Sequence, residues 1–211
     1  SLRQVSRQIA AVNKKGVAIA VVIGGGNIWR FRDNKQISSL PRVESDYLGM
    51  SATIFNAVTL ASALRKLKIR TKVFSAIRAP VELAEPYSAS AAKKFLDKGG
   101  VAILAGGTGK PFVTTDSAAA MRAGELNCEA VLKATNVNGV YSADPRKSKS
   151  AKLLKEIDYA TAIRQKLGVM DQKAFRILAK HKIPTFVFNF NRKGLLGRAA
   201  AGQNAGTVIN F

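Results

Sequence analysis

VAILAGGTGKPFVTTDSAAAMRAGEL, residues 101–126, decides the reading of the fold. Its first five residues form an uncharged apolar run, as expected of a strand buried on both faces of a parallel sheet. The next ten hold three glycines, three threonines and a proline, and then an aspartate opens a run of small helix-forming residues. Strand, glycine-rich loop and helix start follow without a break. Glycine lets main chain approach a ligand closely. Successive N–H groups in such a turn form a concave anion site, and a helix start adds further unpaired N–H groups. Taken alone, a glycine cluster can equally make a tight turn.

A second cluster changes the weighing. VAIAVVI (17–23) is another buried-strand run, and GGGNIWR (24–30) follows it, with Arg30 as a planar cation suited to phosphate. Two strands ending in glycine clusters with polar groups behind them point to a phosphate site at the carboxyl ends of strands. The common phosphate signatures are absent. Gly109-Lys110 is followed by Pro111 rather than Ser or Thr, and there is no G-x-G-x-x-G.

The remaining segments alternate in the same way. Helical patterns cover 2–14, 46–67, 87–98, 115–126, 158–166 and 171–181. Strand runs cover 71–77, 130–134, 185–190 and 207–211. Residues 27–44 and 136–145 read as irregular and turn-rich. The pattern predicts an α/β three-layer αβα sandwich with a mainly parallel central sheet.

Composition bounds the partners. The 211 residues carry 34 Lys and Arg against 13 Asp and Glu, a formal charge of +21. Such a balance favours polyanions: nucleotides, nucleic acid or an anionic surface. The basic residues are dispersed, and RKSKSAK (146–152) reads as a solvated loop, so nucleic acid is a secondary expectation. One cysteine, Cys128, allows no internal disulfide and fits a reducing, cytoplasmic setting. It and the single histidine, His181, read as packing and helix-end residues. No apolar run is expected to span a membrane.

Five segments, in order, carry a family resemblance: VVIGGGNIWR, RVESDYLGMSATIFNA, AGGTGKPFVTTDSAAAMRA, LKATNVNGVYSADP and LGVMDQKAF. The chain resembles the bacterial uridylate (UMP) kinases of the amino-acid-kinase superfamily from about residue 5 to its end. The resemblance implies transfer of the ATP γ-phosphoryl to UMP with Mg²⁺. It implies one domain over 1–211, with a UMP-binding lobe over roughly 1–125 and an ATP-binding lobe over 126–211. By position, Gly25, Asp46 and Thr108, Gly109, Lys110, Pro111, Phe112, Val113, Thr114 and Thr115 would contact UMP. Gly26 and Arg30 would lie at the phosphates being joined. Thr135, Tyr141 and Asp144 would hold ATP, although Asp-Pro and its neighbours also suit a plain turn. Arg30 and Asp116 are the expected catalytic residues. Asp116, like Asp171, could instead act only as a helix N-cap. A homo-oligomer, a hexamer in the family, and GTP or UTP as effectors are implied too.

The chain also departs from the pattern. The family opens with a strand and a K-[LI]-S-G loop, and this segment is expected to be missing ahead of Ser1. FRDNKQ stands after Arg30 where glycine is usual, which leaves open a gap concealed by the numbering there. Asn138 stands for an aspartate, Asn136 for a lysine, and Lys110 for a neutral residue. Two other readings remain open: a non-catalytic nucleotide or oxyanion binder of the same fold, and a nucleic-acid-binding regulator.

Overall fold

A computed structural model describes residues 2–31, 40–143 and 150–211. The chain divides into two compact units, Ser1–Ala118 and Ala119–Phe211.

The first unit is built on a four-stranded, wholly parallel sheet. Its strands are β1 (Ile19–Val22), β2 (Thr71–Ser75), β3 (Glu85–Pro86) and β4 (Val101–Ala105), arranged β1-β4-β2-β3. β4 is interior, and all five of its residues are buried, which is why VAILA carries no polar side chain. The helices are α1 (Leu2–Asn13), α2 (Arg42–Lys66) and α3 (Ala89–Leu96). α2 packs on β2 and β4, and Ala57 and Ala61, both fully buried, bring its backbone close to the sheet. α3 starts where the Ser88 hydroxyl accepts the Ala91 N–H at 3.1 Å.

α4 (Thr115–Glu125) runs from the first unit into the second. The second unit adds β5 (Val131–Thr135), β6 (Glu156–Asp158), α5 (Tyr159–Arg164), α6 (Gln172–His181), β7 (Thr185–Asn189), α7 (Leu195–Ala200) and β8 (Thr207–Asn210). Its sheet runs β5-β7-β8-β6 and is mixed, because β7 and β8 pair antiparallel while the outer pairings are parallel. The core centres on Tyr159, Phe175, Leu178, Val187 and Ile209. The expected α/β architecture is present.

Three features of the sequence reading shift. α2 begins at Arg42 rather than at 46, inside a segment expected to be irregular. β3, β6 and α7 were not anticipated, being two, three and six residues long. α2 also reaches the length and apolar composition of a membrane span, with a mean hydropathy of 1.3 over its most apolar stretch. Its inner face is nevertheless buried in the unit at Met50, Thr53, Leu60 and Leu64, as in a core helix.

α5 and α6 begin on aspartates. Asp158 accepts the Thr161 N–H at 2.7 Å, and this bond, with one from the Thr161 hydroxyl, holds its carboxyl below the usual range. Asp171 accepts the Ala174 N–H at 2.9 Å. The next residue after Asp158, Tyr159, is 2 % exposed. Its hydroxyl donates to the Ile183 carbonyl at 2.7 Å and lies 2.8 Å from the Thr185 hydroxyl. Burial pushes it from the ordinary 10.0 to about 12. A folded-state pKa above the unfolded one means that this hydroxyl's contribution is complete below pH 10 and is lost as pH rises through about 12. Tyr159→Phe should therefore lower stability by about 1–3 kcal/mol near neutrality. It should also remove this part of the alkaline loss, both read by denaturant unfolding of the two proteins at matched pH.

Candidate active site

Parallel pairing sets Val22 of β1 beside Leu104 of β4. The loops that leave these strands, 23–31 and 106–114, therefore emerge side by side at one sheet edge, and the N-terminal half of α2 lies against both. A cavity of about 460 Å³ opens there, within the first unit. That volume suits a small ligand.

The first loop is held under α2. A Cβ on Gly25 would collide with the Gly49 carbonyl and stand 2.9 Å from the Ala52 side chain, so only glycine permits the approach. Asn56 donates from Nδ2 to the Gly24 carbonyl at 2.8 Å and exchanges amide hydrogen bonds with Asn27. The Trp29 indole donates to the Ser45 hydroxyl at 2.8 Å. Arg30 folds back over Gly26, where a Cβ would stand 2.7 Å from its Nε.

The second loop is tied to the same helix. The Gly106 N–H donates to the Thr53 hydroxyl at 2.7 Å, which in turn donates to the Met50 carbonyl at 2.6 Å. Gly109 has φ of 78°, and a Cβ there would lie 2.6 Å from the Ala76 carbonyl oxygen. Conformation and space both require glycine. The Lys110 N–H donates to Thr108 Oγ1 at 3.3 Å. Phe112 also adopts positive φ, 61°, which costs a residue of this type about 1–3 kcal/mol. Its N–H donates to Asp46 Oδ2 at 2.8 Å, and Arg42 Nε donates to Oδ1 of the same carboxylate at 2.8 Å.

Thr114 caps α4, its hydroxyl accepting the Ser117 N–H at 3.0 Å. Asp116 is thus not the cap. It sits in the first helical turn, where a negative charge is favoured by the helix dipole. Asp171, by contrast, is a cap. Of the residues expected at the phosphates and at UMP, Gly25, Gly26, Arg30, Asp46, Lys110, Val113, Thr114 and Thr115 line the cavity. Among the described residues its wall presents three cations, Arg30, Arg42 and Lys110, against the single carboxylate of Asp46. Such a wall favours a dianion.

The residues expected at ATP fall in the second unit or outside the described residues. Thr135 ends β5, and its hydroxyl donates to the Val137 carbonyl at 2.8 Å while accepting the Val137 N–H at 3.1 Å. Tyr141 forms an isolated antiparallel bridge with Leu153. Asp144 lies outside the described residues. Asn138 and Asn136 join an amide network with Asn189 and Asn191 at the ends of β5 and β7. Cys128 packs against the second unit's core, and His181 ends α6 beside Gly124.

Sequence reasoning missed four groups on α2 that shape the site: Arg42, Ser45, Thr53 and Asn56. Their spacing was a legible signal. They recur at helical period on the face that also carries Asp46 and Gly49.

Comparisons with known proteins place the chain. The amino acid kinase family matches residues 1–189. Uridylate kinase PUMPKIN, chloroplastic, from Arabidopsis thaliana is 43% identical over 205 residues. The match takes in 97% of this chain and 60% of that protein. Uridylate kinase from Rickettsia bellii is 41% identical over 209 residues, 99% of this chain and 87% of that protein. Among solved structures, UMP kinase from Bacillus anthracis superposes with a TM-score of 0.95 at 36% identity, covering 99% of this chain and 86% of its own. UMP kinase from Ureaplasma parvum gives 0.92 at 34%, covering 100% and 88%. Both the strand-end loops and the overall likeness lead to one conclusion: the chain belongs to the amino acid kinase family, among its uridylate kinases.

Proposed function

We propose that this protein transfers the γ-phosphoryl group of ATP to UMP, giving UDP and ADP. The observation that carries the reading is the cation-lined cavity between the two strand-end loops, in a chain matched along almost its whole length by uridylate kinases.

In this reading UMP lies along the 106–114 loop. Asp46 meets the nucleoside end, and Lys110, Thr115 and the adjoining main chain meet the phosphate. A phosphate oxygen of UMP attacks the γ-phosphorus, a new P–O bond forms, and the bond to the ADP oxygen breaks. The nucleophile is an anion near neutral pH, so no general base is required. The work of the protein is to hold two polyanions in line and offset their repulsion. Arg30, folded over Gly26, would spread charge from the transferring group, and Asp116 would orient cations at the start of α4. Thr135 and Tyr141 belong to the ATP end of the proposal, and so does Asp144.

Mg²⁺ would enter with ATP. Among the described residues no three His, Cys, Asp or Glu side chains gather as a metal cage. When bound, the ion neutralises phosphate charge. The proposal extends to a cytoplasmic homo-oligomer, hexameric and open to GTP or UTP control. Exposed Tyr47, Leu48 and Phe55 on α2 support a subunit contact.

The deciding assay supplies full-length protein with ATP, Mg²⁺ and UMP and measures ADP. UMP-dependent ADP release is expected, and its absence would end the reading. Equal turnover with CMP would widen it to pyrimidines. Arg30→Ala should lower kcat by about 10²–10³-fold, the scale of one lost charge-stabilising group in a transition state. Lys110→Ala should raise KM for UMP by about threefold to tenfold with little change in kcat, since a partly solvated cation adds modest ground-state attraction.

A further inference from the structure

Arg42 sits where three segments meet at the cavity mouth. It is in the first turn of α2, exposed over about half of its side chain, and bonded through Nε to Asp46 Oδ1 at 2.8 Å. The other oxygen of that carboxylate takes the Phe112 N–H at 2.8 Å. The Arg42 guanidinium also lies over two rings, 4.8 Å from the centroid of Phe31 and 5.8 Å from that of Phe112. Both distances fall within reach of a cation–π attraction.

The arrangement needs a reason beyond an exposed ion pair. Phe112 is 65 % exposed and holds a left-handed backbone conformation that apolar residues rarely adopt. What holds it is the Asp46 carboxylate, and what holds Asp46 is Arg42. Phe31 supplies the second ring from the loop after β1. One guanidinium thus ties the 23–31 loop, the start of α2 and the tip of the 106–114 loop together.

We infer that Arg42, within cation–π reach of Phe31 and Phe112 and bonded to Asp46, is a positioning residue that sets the nucleoside end of the monophosphate site. The inference rests on the uridylate kinase reading and adds to it a group that acts through Asp46 and Phe112 rather than on the transferring phosphoryl. A guanidinium is suited to the task because its plane stacks on a ring while its edge bonds a carboxylate. An ammonium offers the bond without the plane.

Trp29 gives a readout that needs no chemistry. It is the chain's single tryptophan, it lines the cavity, and its indole is bonded to Ser45, three residues from Arg42. UMP titrated into full-length protein should change its fluorescence. Arg42→Gln should raise Kd for UMP by about tenfold while kcat stays within about threefold, the signature of ground-state binding lost without loss at the reacting atoms. KM for ATP should not move. Arg42→Lys should fall between wild type and Arg42→Gln, because charge survives and stacking does not. Phe31→Gly, which removes one ring and leaves every polar group in place, should raise Kd for UMP by about threefold. It also keeps the test open if Arg42→Gln does not fold.

An unchanged Kd for UMP in Arg42→Gln, or equal weakening of UMP and ATP, overturns the inference, and the latter marks a merely structural role. A wild-type protein with no fluorescence response to UMP and no UMP-dependent ADP release overturns the uridylate kinase reading and this inference with it. A normal wild-type response with unaffected variants overturns the inference alone.

Discussion

Parallel pairing of β1 with β4 is the constraint on which the site depends. Both strands point their carboxyl ends the same way, in adjacent positions, so two loops far apart in sequence must leave the sheet side by side. Each loop alone is a glycine-rich turn held by its own main-chain hydrogen bonds. Together, beneath α2, they enclose a cavity. α2 is as much a part of this as the strands: Gly49 and Ala52 press on Gly25, Thr53 holds Gly106, and Asn56 holds Gly24. A helix that is core on one side and loop anchor on the other accounts for its mixed pattern of small, apolar and polar residues.

The electrostatics follow from the same geometry. Arg30 and Lys110 stand on the cavity wall and are both exposed, so the wall carries positive charge without burying an unpaired cation. Among the described residues Asp46 is the only carboxylate on the cavity wall, and its two oxygens hold Arg42 and the Phe112 amide. A carboxylate engaged in this way positions chain rather than repels ligand. The strain of Phe112 is sustained by its surroundings, as expected where a loop is held ready for a partner.

The sequence made β4, α4 and both glycine clusters legible because their signals are local. A buried interior strand must be continuously apolar, a tight main-chain approach must be glycine, and a helix start needs a cap. Short elements escaped, since β3 has two residues and β6 three, and no periodicity can register at that length. The start of α2 escaped for a different reason: Arg42 and Ser45 look like loop polarity when taken one by one, and only their helical spacing to Asp46 and Gly49 marks them as one face. Thr114 and Asp116 are the same case. Both suit a cap, and only the observed bond to Ser117 assigns it to Thr114.

By itself, then, the sequence determined the α/β class, the two glycine-rich loops, their placement at strand ends and the family to which they lead. These depend on near neighbours along the chain. Only the tertiary structure decided that β1 and β4 are adjacent, that the two loops share one cavity, and that Asp46 reaches Phe112 across 66 residues of sequence. Such contacts arise from strand order and helix packing, which join distant segments by burial and hydrogen bonding, and no local pattern records which partner each group will find.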